Sequence, residues 1–231
     1  MLKLTVAIPA YKEEENLKVI LPRLVSVLER IEPSHEILII DTREPMDATE
    51  AVCADFSTVH YIPREGVYNY YGDAIRTAVA KTEGEYLIFM DADGSHDPEF
   101  ITQLYAYKDD FDVVIASRYV KGGSTKNSKV LVLMSLMVNI VYALVLNLNC
   151  KDVSNSFKLY KAKDIKSITL TSNNFEIVEE ILFKIKKKNR NLKIKEVPFT
   201  FDKRMFGETK RNLFVFMVTY LYTLFKLRFG K

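Results

Sequence analysis

Cysteine is almost absent from this 231-residue chain: Cys53 and Cys150 stand nearly a hundred positions apart. So few, so far apart, exclude a disulfide framework and a thiolate metal centre, and make a reducing compartment the default. Histidine is as sparse, and His35, His60 and His96 are too scattered to suggest a zinc site. There is no internal repeat and no low-complexity linker. The length suits one globular domain, or one with a small appendage, and allows a sizeable core. The opening "MLKLTVAIPAYKEEE" holds an apolar run too short for a signal peptide, and Pro9 interrupts it. Net charge is low as well, +3, but it is unevenly spread. Residues 184–231 carry 14 Lys and Arg against 3 Asp and Glu, a balance of +11, which leaves 1–183 at −8. An acidic body suits a bound cation, and a basic C-terminal part suits phosphates or an anionic membrane surface. The lysines of "KIKKKNRNLKIK" also fit a solvated helix face. No nucleic-acid motif accompanies them, so nucleic acid is not an expected partner.

Short apolar runs at 3–9, 36–41, 58–63, 85–91 and 112–117 predict strands, their unbroken apolarity indicating burial on both faces. Helical spacing separates them, over 13–31, 47–56, 71–82 and 98–107. The first helix has to tolerate Pro22 with a kink. Asp97-Pro98 has the form of an N-cap and a first-turn proline. The alternation predicts an α/β fold with a mainly parallel sheet.

Open parallel sheets bind ligands at the carboxyl ends of their strands. Here those ends read "PAYKEEEN", "DTREP", "DADGSHD" and "SRYVKGG". Asp91 and Asp93 are two apart, so in an extended segment they point the same way. Two carboxylates so placed stay ionised best with a cation between them. Oxygen ligands suit Mg²⁺ or Mn²⁺, with a substrate phosphate completing the shell.

The second half differs in character. "VLVLMSLMVNIVYALVL", 130–146, is uncharged and close to a membrane span in length. Ser135, Asn139 and Tyr142 recur along it as a polar stripe, which favours a core or interfacial helix. A basic helix, the strand "LKIKEVPFTF" and the polar loop "DKRMFGETKRN" follow. The aromatic, apolar "LFVFMVTYLYTLFKLRFGK" ends in Lys226, Arg228 and Lys231 and suits an amphipathic helix at a membrane interface, or one packed on the domain.

Five segments in register resemble the family-2 glycosyltransferases, and among them the dolichyl-phosphate mannosyltransferase and polyprenyl-phosphate glycosyltransferase group. They are "VAIPAYKEEENL", "DADGSHDPEF", "ASRYVKGG", "DVSNSFKLYKA" and "EVPFTFDKRMFGETK", and they cover nearly the whole chain. The resemblance implies a GT-A, Rossmann-like fold. It implies a glycosyltransferase domain over 1–210, with a nucleotide and metal half at 1–120 and an acceptor half at 121–210, and a separate C-terminal helix at 211–231. By the same resemblance Pro9, Tyr11, Glu13, Ile40, Asp41 and Thr42 border the nucleotide, and Asp91, Ala92 and Asp93 sit on the donor diphosphate. The metal falls to Asp91, Asp93 and Ser95. Arg118 approaches the donor, while Arg204 and Lys210 belong to a loop that closes on the diphosphate. Asp152 lies in a segment under the site and is a further catalytic candidate.

Departures from the family pattern accompany these matches. Thr42 replaces the second acid after strand two, which normally helps hold the nucleoside. Asn155 replaces a glycine and Lys158 an arginine. Leu131 and Val132 occupy the basic positions thought to meet an acceptor phosphate, with Lys126 and Lys129 the nearest substitutes.

The expected activity is inverting transfer of a hexosyl group, mannosyl by default, from a nucleotide sugar to a polyprenyl or dolichyl phosphate. GDP-mannose is the first donor to test, with a UDP-sugar open. The expected setting is peripheral, on the cytoplasmic face of a membrane, with a membrane-protein partner or a homo-oligomer open. One alternative is transfer to a sugar hydroxyl, with Glu176 or Glu180 as general base. The other is a relative that binds nucleotide without turnover.

Overall fold

The computed structural model describes residues 2–66, 68–206 and 213–229. In chain order the first half runs β1 (Leu4–Pro9), α1 (Glu14–Ile31), β2 (His35–Asp41), α2 (Thr49–Ala54), β3 (Val59–Pro63), α3 (Tyr71–Lys81) and β4 (Tyr86–Phe89). After a 3-10 turn at Pro98–Phe100 come α4 (Ile101–Tyr105), β5 (Val113–Ser117) and β6 (Ser124–Thr125). The second half adds α5 (Lys129–Val145), β7 (Lys158–Lys161), α6 (Ala162–Lys166), α7 (Ile177–Lys188), β8 (Ile194–Pro198), β9 (Thr200–Phe201) and α8 (Leu213–Phe229).

Seven strands form one sheet in the order β3-β2-β1-β4-β7-β5-β8, and β6 pairs with β9 apart from it. Side chains alternate between the two faces, as period two requires. Leu4, Val6, Ile8, Ile37, Ile39 and Ile88 join a core under α1 and α4, whereas Ala7, Leu38, Ile40, Leu87 and Phe89 join a second core with α3 and α7. Each fully buried Val, Leu, Ile or Phe side chain among them stabilises the fold by roughly 1.5–3 kcal/mol. Helix α1 presents Leu17, Ile20, Leu21, Leu24 and Leu28 to the first core and runs on through Pro22. The α/β, mainly parallel architecture expected from the apolar runs is the one observed.

Three features differ from the reading of the sequence. Strand β7 runs antiparallel to both β4 and β5, because its segment returns from the α5 side and fills the gap between them. Its "KLYK" is too short and too charged to read as a strand, and Lys158 is nevertheless fully buried. Strand β4 ends at Phe89, so Asp91 and Asp93 lie in the following turn and not in an extended segment. The run 98–107 divides into a 3-10 turn and a short helix, although Asp97 does cap it, accepting the Glu99 amide at 3.2 Å.

Helix α5 is inverted in polarity. Asn139 and Tyr142 are buried, and Asn139 fixes the 153–154 turn by accepting from the amides of Val153 and Ser154 at 2.6 and 2.9 Å. Leu131, Leu133, Met137, Ile140 and Leu144 are exposed. The polar stripe therefore faces the domain and the apolar face is uncovered among the described residues. No described helix is long and apolar enough to cross a membrane.

Candidate active site

Strand β1 has β2 on one side and β4 on the other, so the chain order of the sheet reverses at this strand. A crevice opens over the carboxyl ends of strands at such a switch point. Segment 10–13 and the acidic turn 91–97 meet there. The backbone is continuous with the sheet on both sides: Ala10 N donates to Ile40 O at 2.9 Å and Met90 N to Ala7 O at 3.0 Å.

The two aspartates are held by different groups. Asp91 donates its amide to His96 Nδ1 at 2.9 Å, and its Oδ1 accepts from Ser156 Oγ at 3.0 Å. Asp93 Oδ1 accepts from the amide and hydroxyl of Ser95 at 3.0 and 2.5 Å, and its Oδ2 lies 3.3 Å from Arg204 Nη2. Burial pushes Asp93 up, but Ser95, His96 and Arg204 together bring it below the ordinary carboxylate value, so it is ionised. Arg204 also donates to Glu13, at 3.0 and 3.3 Å to its two oxygens. Burial raises the Glu13 carboxyl even so.

Residues 202–206 cross directly over the acidic turn. Asp202 N donates to Ser95 O at 3.1 Å, Met205 N to Asp93 O at 2.9 Å and Phe206 N to Asn16 Oδ1 at 3.2 Å. Gly94 makes this approach possible: its φ is +79°, and a Cβ there would stand 2.5 Å from the Met205 side chain.

Arg118 extends from the end of β5. Its Nε and Nη2 form a bidentate pair with Asp152 at 2.8 and 2.7 Å, and its amide donates to the same carboxylate at 2.8 Å. Asp152 is fully buried and also accepts the Asn155 amide. Asp152, expected as a catalytic candidate, holds Arg118 through both of its oxygens. Glu196 stands behind, accepting from Ser117 Oγ and from the Lys151 and Asp152 amides.

On the nucleotide side Tyr11 is exposed and Pro9 half-buried. The side chains of Ile40 and Ala92 are buried in the two cores. Asp41 accepts from the Thr42 amide at 2.7 Å and from Tyr61 Oη at 3.2 Å, and burial raises its carboxyl. Thr42 is buried and donates its hydroxyl to Glu44 O. Arg64, which the motifs did not mark, donates to the carbonyls of Ala10, Asp41, Asn69 and Tyr70. It ties the tips of β1 and β2 to the loop after β3. The only signal for it was a lone arginine directly after a strand.

The remaining candidates stand further out. Lys126 is exposed and paired with Asp202. Lys129 opens α5, and Lys210 lies outside the described residues. Glu180 accepts from the amides of Thr171 and Ser172 and from Thr171 Oγ1 and Lys184. These donors hold its carboxyl below the ordinary value against burial. Glu176 precedes α7, buried, accepting from the Asn174 amide at 3.3 Å.

Among the described residues no group of three or more His, Cys, Asp or Glu side chains gathers to hold a metal by itself. An ionised Asp93 beside Asp91 fits a hard divalent cation that shares its shell with phosphate oxygens and water. The Ser95 hydroxyl, expected among the metal ligands, is directed at Asp93.

Known proteins resemble the chain in sequence and in fold. The Dolichol-phosphate mannosyltransferase of Pyrococcus furiosus is 31% identical over 97% of this chain and 64% of its own length, so the chain spans just under two thirds of that relative. The Undecaprenyl-phosphate mannosyltransferase of Micrococcus luteus is 29% identical over 89% of this chain and 86% of its own. Glucosyl-3-phosphoglycerate synthase of Mycobacterium tuberculosis, crystallised with Mn²⁺, uridine diphosphate and phosphoglyceric acid, shares the fold with a TM-score of 0.73 at 16% identity, over 99% of this chain and 79% of that one. A crystal of the same synthase holds Mg²⁺ and uridine diphosphate, with a TM-score of 0.71 over 98% and 79% of the two chains, again at 16% identity. The model of Glycosyl transferase family 2 matches residues 5–169, from β1 through α6, which takes in the acidic turn, Arg118 and Asp152 but not the 202–206 segment. With that match over more than half its length, the chain belongs to glycosyl transferase family 2.

Proposed function

We propose that the chain is an inverting, metal-dependent glycosyltransferase that moves a hexosyl group, mannosyl in the first instance, from a nucleoside diphosphate sugar to a polyprenyl phosphate at a membrane surface. The observation that carries this reading is the crevice at β1 and β4, with ionised Asp93 and the guanidiniums of Arg204 and Arg118 around it, in a domain whose α5 turns its apolar face outward. The acceptors named for the relatives, dolichol phosphate, undecaprenyl phosphate and 3-phosphoglycerate, all carry a phosphate group. GDP-mannose is the donor we would test first. The domain division at 210/211 belongs to the same proposal, as does a peripheral position on the cytoplasmic face.

The chemistry is cleavage of a sugar–diphosphate bond. Negative charge grows on the leaving nucleoside diphosphate, and a divalent cation beside Asp91 and Asp93 would stabilise it. Arg204 adds fixed positive charge next to Asp93. Arg118 reaches its place already oriented by Asp152, so its charge needs no reorganisation. A phosphate monoester, with its second pKa near roughly 6, is largely dianionic at neutral pH. It needs cations to position it more than a base to deprotonate it, which agrees with the saturated Glu180. Attack at the anomeric carbon from the opposite face inverts the configuration.

The test is a donor panel of GDP-mannose, UDP-glucose and UDP-GlcNAc with Mn²⁺ or Mg²⁺. Undecaprenyl phosphate, dolichyl phosphate and 3-phosphoglycerate serve as acceptors, read by mass spectrometry. Lipid-linked hexose is the expected product. Transfer to 3-phosphoglycerate alone would replace the lipid acceptor, and hydrolysis without transfer would leave only donor binding. No metal-dependent turnover of any donor would return the chain to a non-catalytic role.

A further inference from the structure

Lys158 opens β7, the antiparallel strand between β4 and β5, and it is fully buried. It pairs with Phe89, where β4 ends, and with Ile115, just before Arg118. Because β7 runs against both neighbours, the turn that precedes it, 152–156, lies at their carboxyl ends. The mechanism above employs neither this lysine nor its charge.

The 152–156 turn reaches both sides of the crevice. Asp152 holds the Arg118 guanidinium at 2.8 and 2.7 Å, and Ser154 Oγ accepts from Arg118 Nη2 at 3.0 Å. Ser156 Oγ donates to Asp91 Oδ1 at 3.0 Å. Side chains grip the main chain of the turn in two ways. Asn139 Oδ1 accepts the Val153 and Ser154 amides at 2.6 and 2.9 Å. Lys158 Nζ takes the carbonyls, donating to Val153 O at 2.9 Å and to Asn155 O. Asn155 also ties the turn to β5, its Nδ2 donating to Ala116 O at 2.6 Å.

An ammonium is a costly way to fill a core position. Burial pushes the Lys158 charge down, with Asp152 and the equally buried Glu179 opposing. Well-packed apolar side chains in place of buried opposite charges are often neutral or stabilising. What a methionine, of similar length, cannot supply is the pair of hydrogen bonds to the carbonyls of the turn. We propose that Lys158 is a positioning residue of the crevice: by holding the Val153 and Asn155 carbonyls it fixes the turn from which Asp152 orients Arg118 and Ser156 orients Asp91. One buried side chain thereby sets the basic side of the site relative to the acidic side. This rests on the reading of the crevice as the donor site.

The first measurement needs no substrate. In full-length protein with ¹⁵N-labelled arginine, the Arg118 Nε–H signal is identified by its loss in Arg118→Lys. It should exchange slowly with water, because Asp152 accepts it. Lys158→Met combined with Glu179→Met removes both buried charges and should speed that exchange by about tenfold or more. Exchange at the wild-type rate overturns the proposal. The second measurement follows turnover of the nucleotide sugar that the wild type uses, well below the melting temperature of each variant. Lys158→Met should lower kcat by about tenfold or more with donor KM changed far less, an effect on the transition state and not on ground-state binding. It should also lower the melting temperature, by leaving Glu179 without its opposing charge. The double variant should regain melting temperature and not kcat. A kcat that returns with the melting temperature, or that Lys158→Met leaves unchanged, makes Lys158 a residue of the core alone and overturns the proposal. Failure of both variants to fold overturns it as well. A wild type that turns over no donor defeats the glycosyltransferase reading, and the exchange measurement still decides the role of Lys158.

Discussion

Glu180 shows how much a side chain's neighbours decide. By spacing it shares a helix face with Glu176 and could have served as a base. In the fold it is fully buried and receives two amides, a hydroxyl and an ammonium from the 171–172 loop and Lys184. Its carboxyl is held below the ordinary value, so the stability it contributes is present above the usual carboxylate pKa and is lost as pH falls through its lowered folded value. Glu180→Gln should therefore cost roughly 1–3 kcal/mol at pH 7, since an amide nitrogen would face donors. The deficit should narrow as the solution is acidified, in denaturant melts at pH 7 and pH 4. Transfer per folded molecule should survive; its abolition would restore Glu180 as a base. Glu179, one position earlier, is also buried. Burial pushes its carboxyl up, with Lys158 opposing, and the nearby Lys158 ammonium is pushed down by its own burial. Nothing in "EIVEEI" distinguishes the two glutamates, because their difference lies in what α5, β7 and the 171–172 loop place around them.

At the scale of elements, α5 is the most informative. Its length and composition were legible, and so was the stripe of Ser135, Asn139 and Tyr142. The direction of the stripe was not, because a helix's orientation depends on what packs against it. Asn139 caps the 153–154 turn and Tyr142 donates to Tyr220 O at 2.5 Å, which turns the apolar side to the exterior. On α8, Tyr222, Phe225 and Phe229 are exposed beside Lys226 and Arg228. Aromatic and aliphatic side chains flanked by cations suit the headgroup region of a membrane. Leu133→Ser combined with Leu144→Ser should reduce co-sedimentation with vesicles containing anionic lipid several-fold. Turnover of donor in solution should be unchanged, because both side chains stand on the exposed face of α5. Equal vesicle binding by the variant and the wild type would refute the docking face. The basic stretch after Glu180 has a local use as well: Lys184, Lys186 and Lys188 donate to the carbonyls of Thr169, Arg190 and Ser167. This agrees with its reading as a solvated helix face and turn.

At the scale of the molecule, the site joins both ends of the chain. Arg204 reaches Glu13 across 191 positions and Asp93 on the acidic turn. Asp93 thus lies where these segments meet, and its carboxyl is lowered by groups of its own turn and by Arg204. Asp93→Asn should abolish Mn²⁺-dependent donor binding in calorimetry while the far-ultraviolet circular dichroism stays that of the wild type. Binding of unchanged affinity would remove Asp93 from the metal site. The insertion of antiparallel β7 between β4 and β5 has a similar reach. It brings Ser156 and Phe157 to Asp91 and His96, so a strand invisible to periodicity supplies part of the site's wall.

The amino-acid sequence by itself determined the alternation of buried strands and amphipathic helices, because apolar period and turn chemistry are local properties. It also determined where the acids and bases fall, at the carboxyl ends of strands, and its motifs carried the family. Only the tertiary structure decided which of those charges face the crevice and which are consumed by neighbours. Asp152 and Glu180 look as available as Asp93 when read as letters. Asp152 is closed by Arg118 and Glu180 by a loop, while Asp93 stands where β1, β4 and the 202–206 segment meet. Such partnerships join residues far apart in the chain, and no local pattern encodes them.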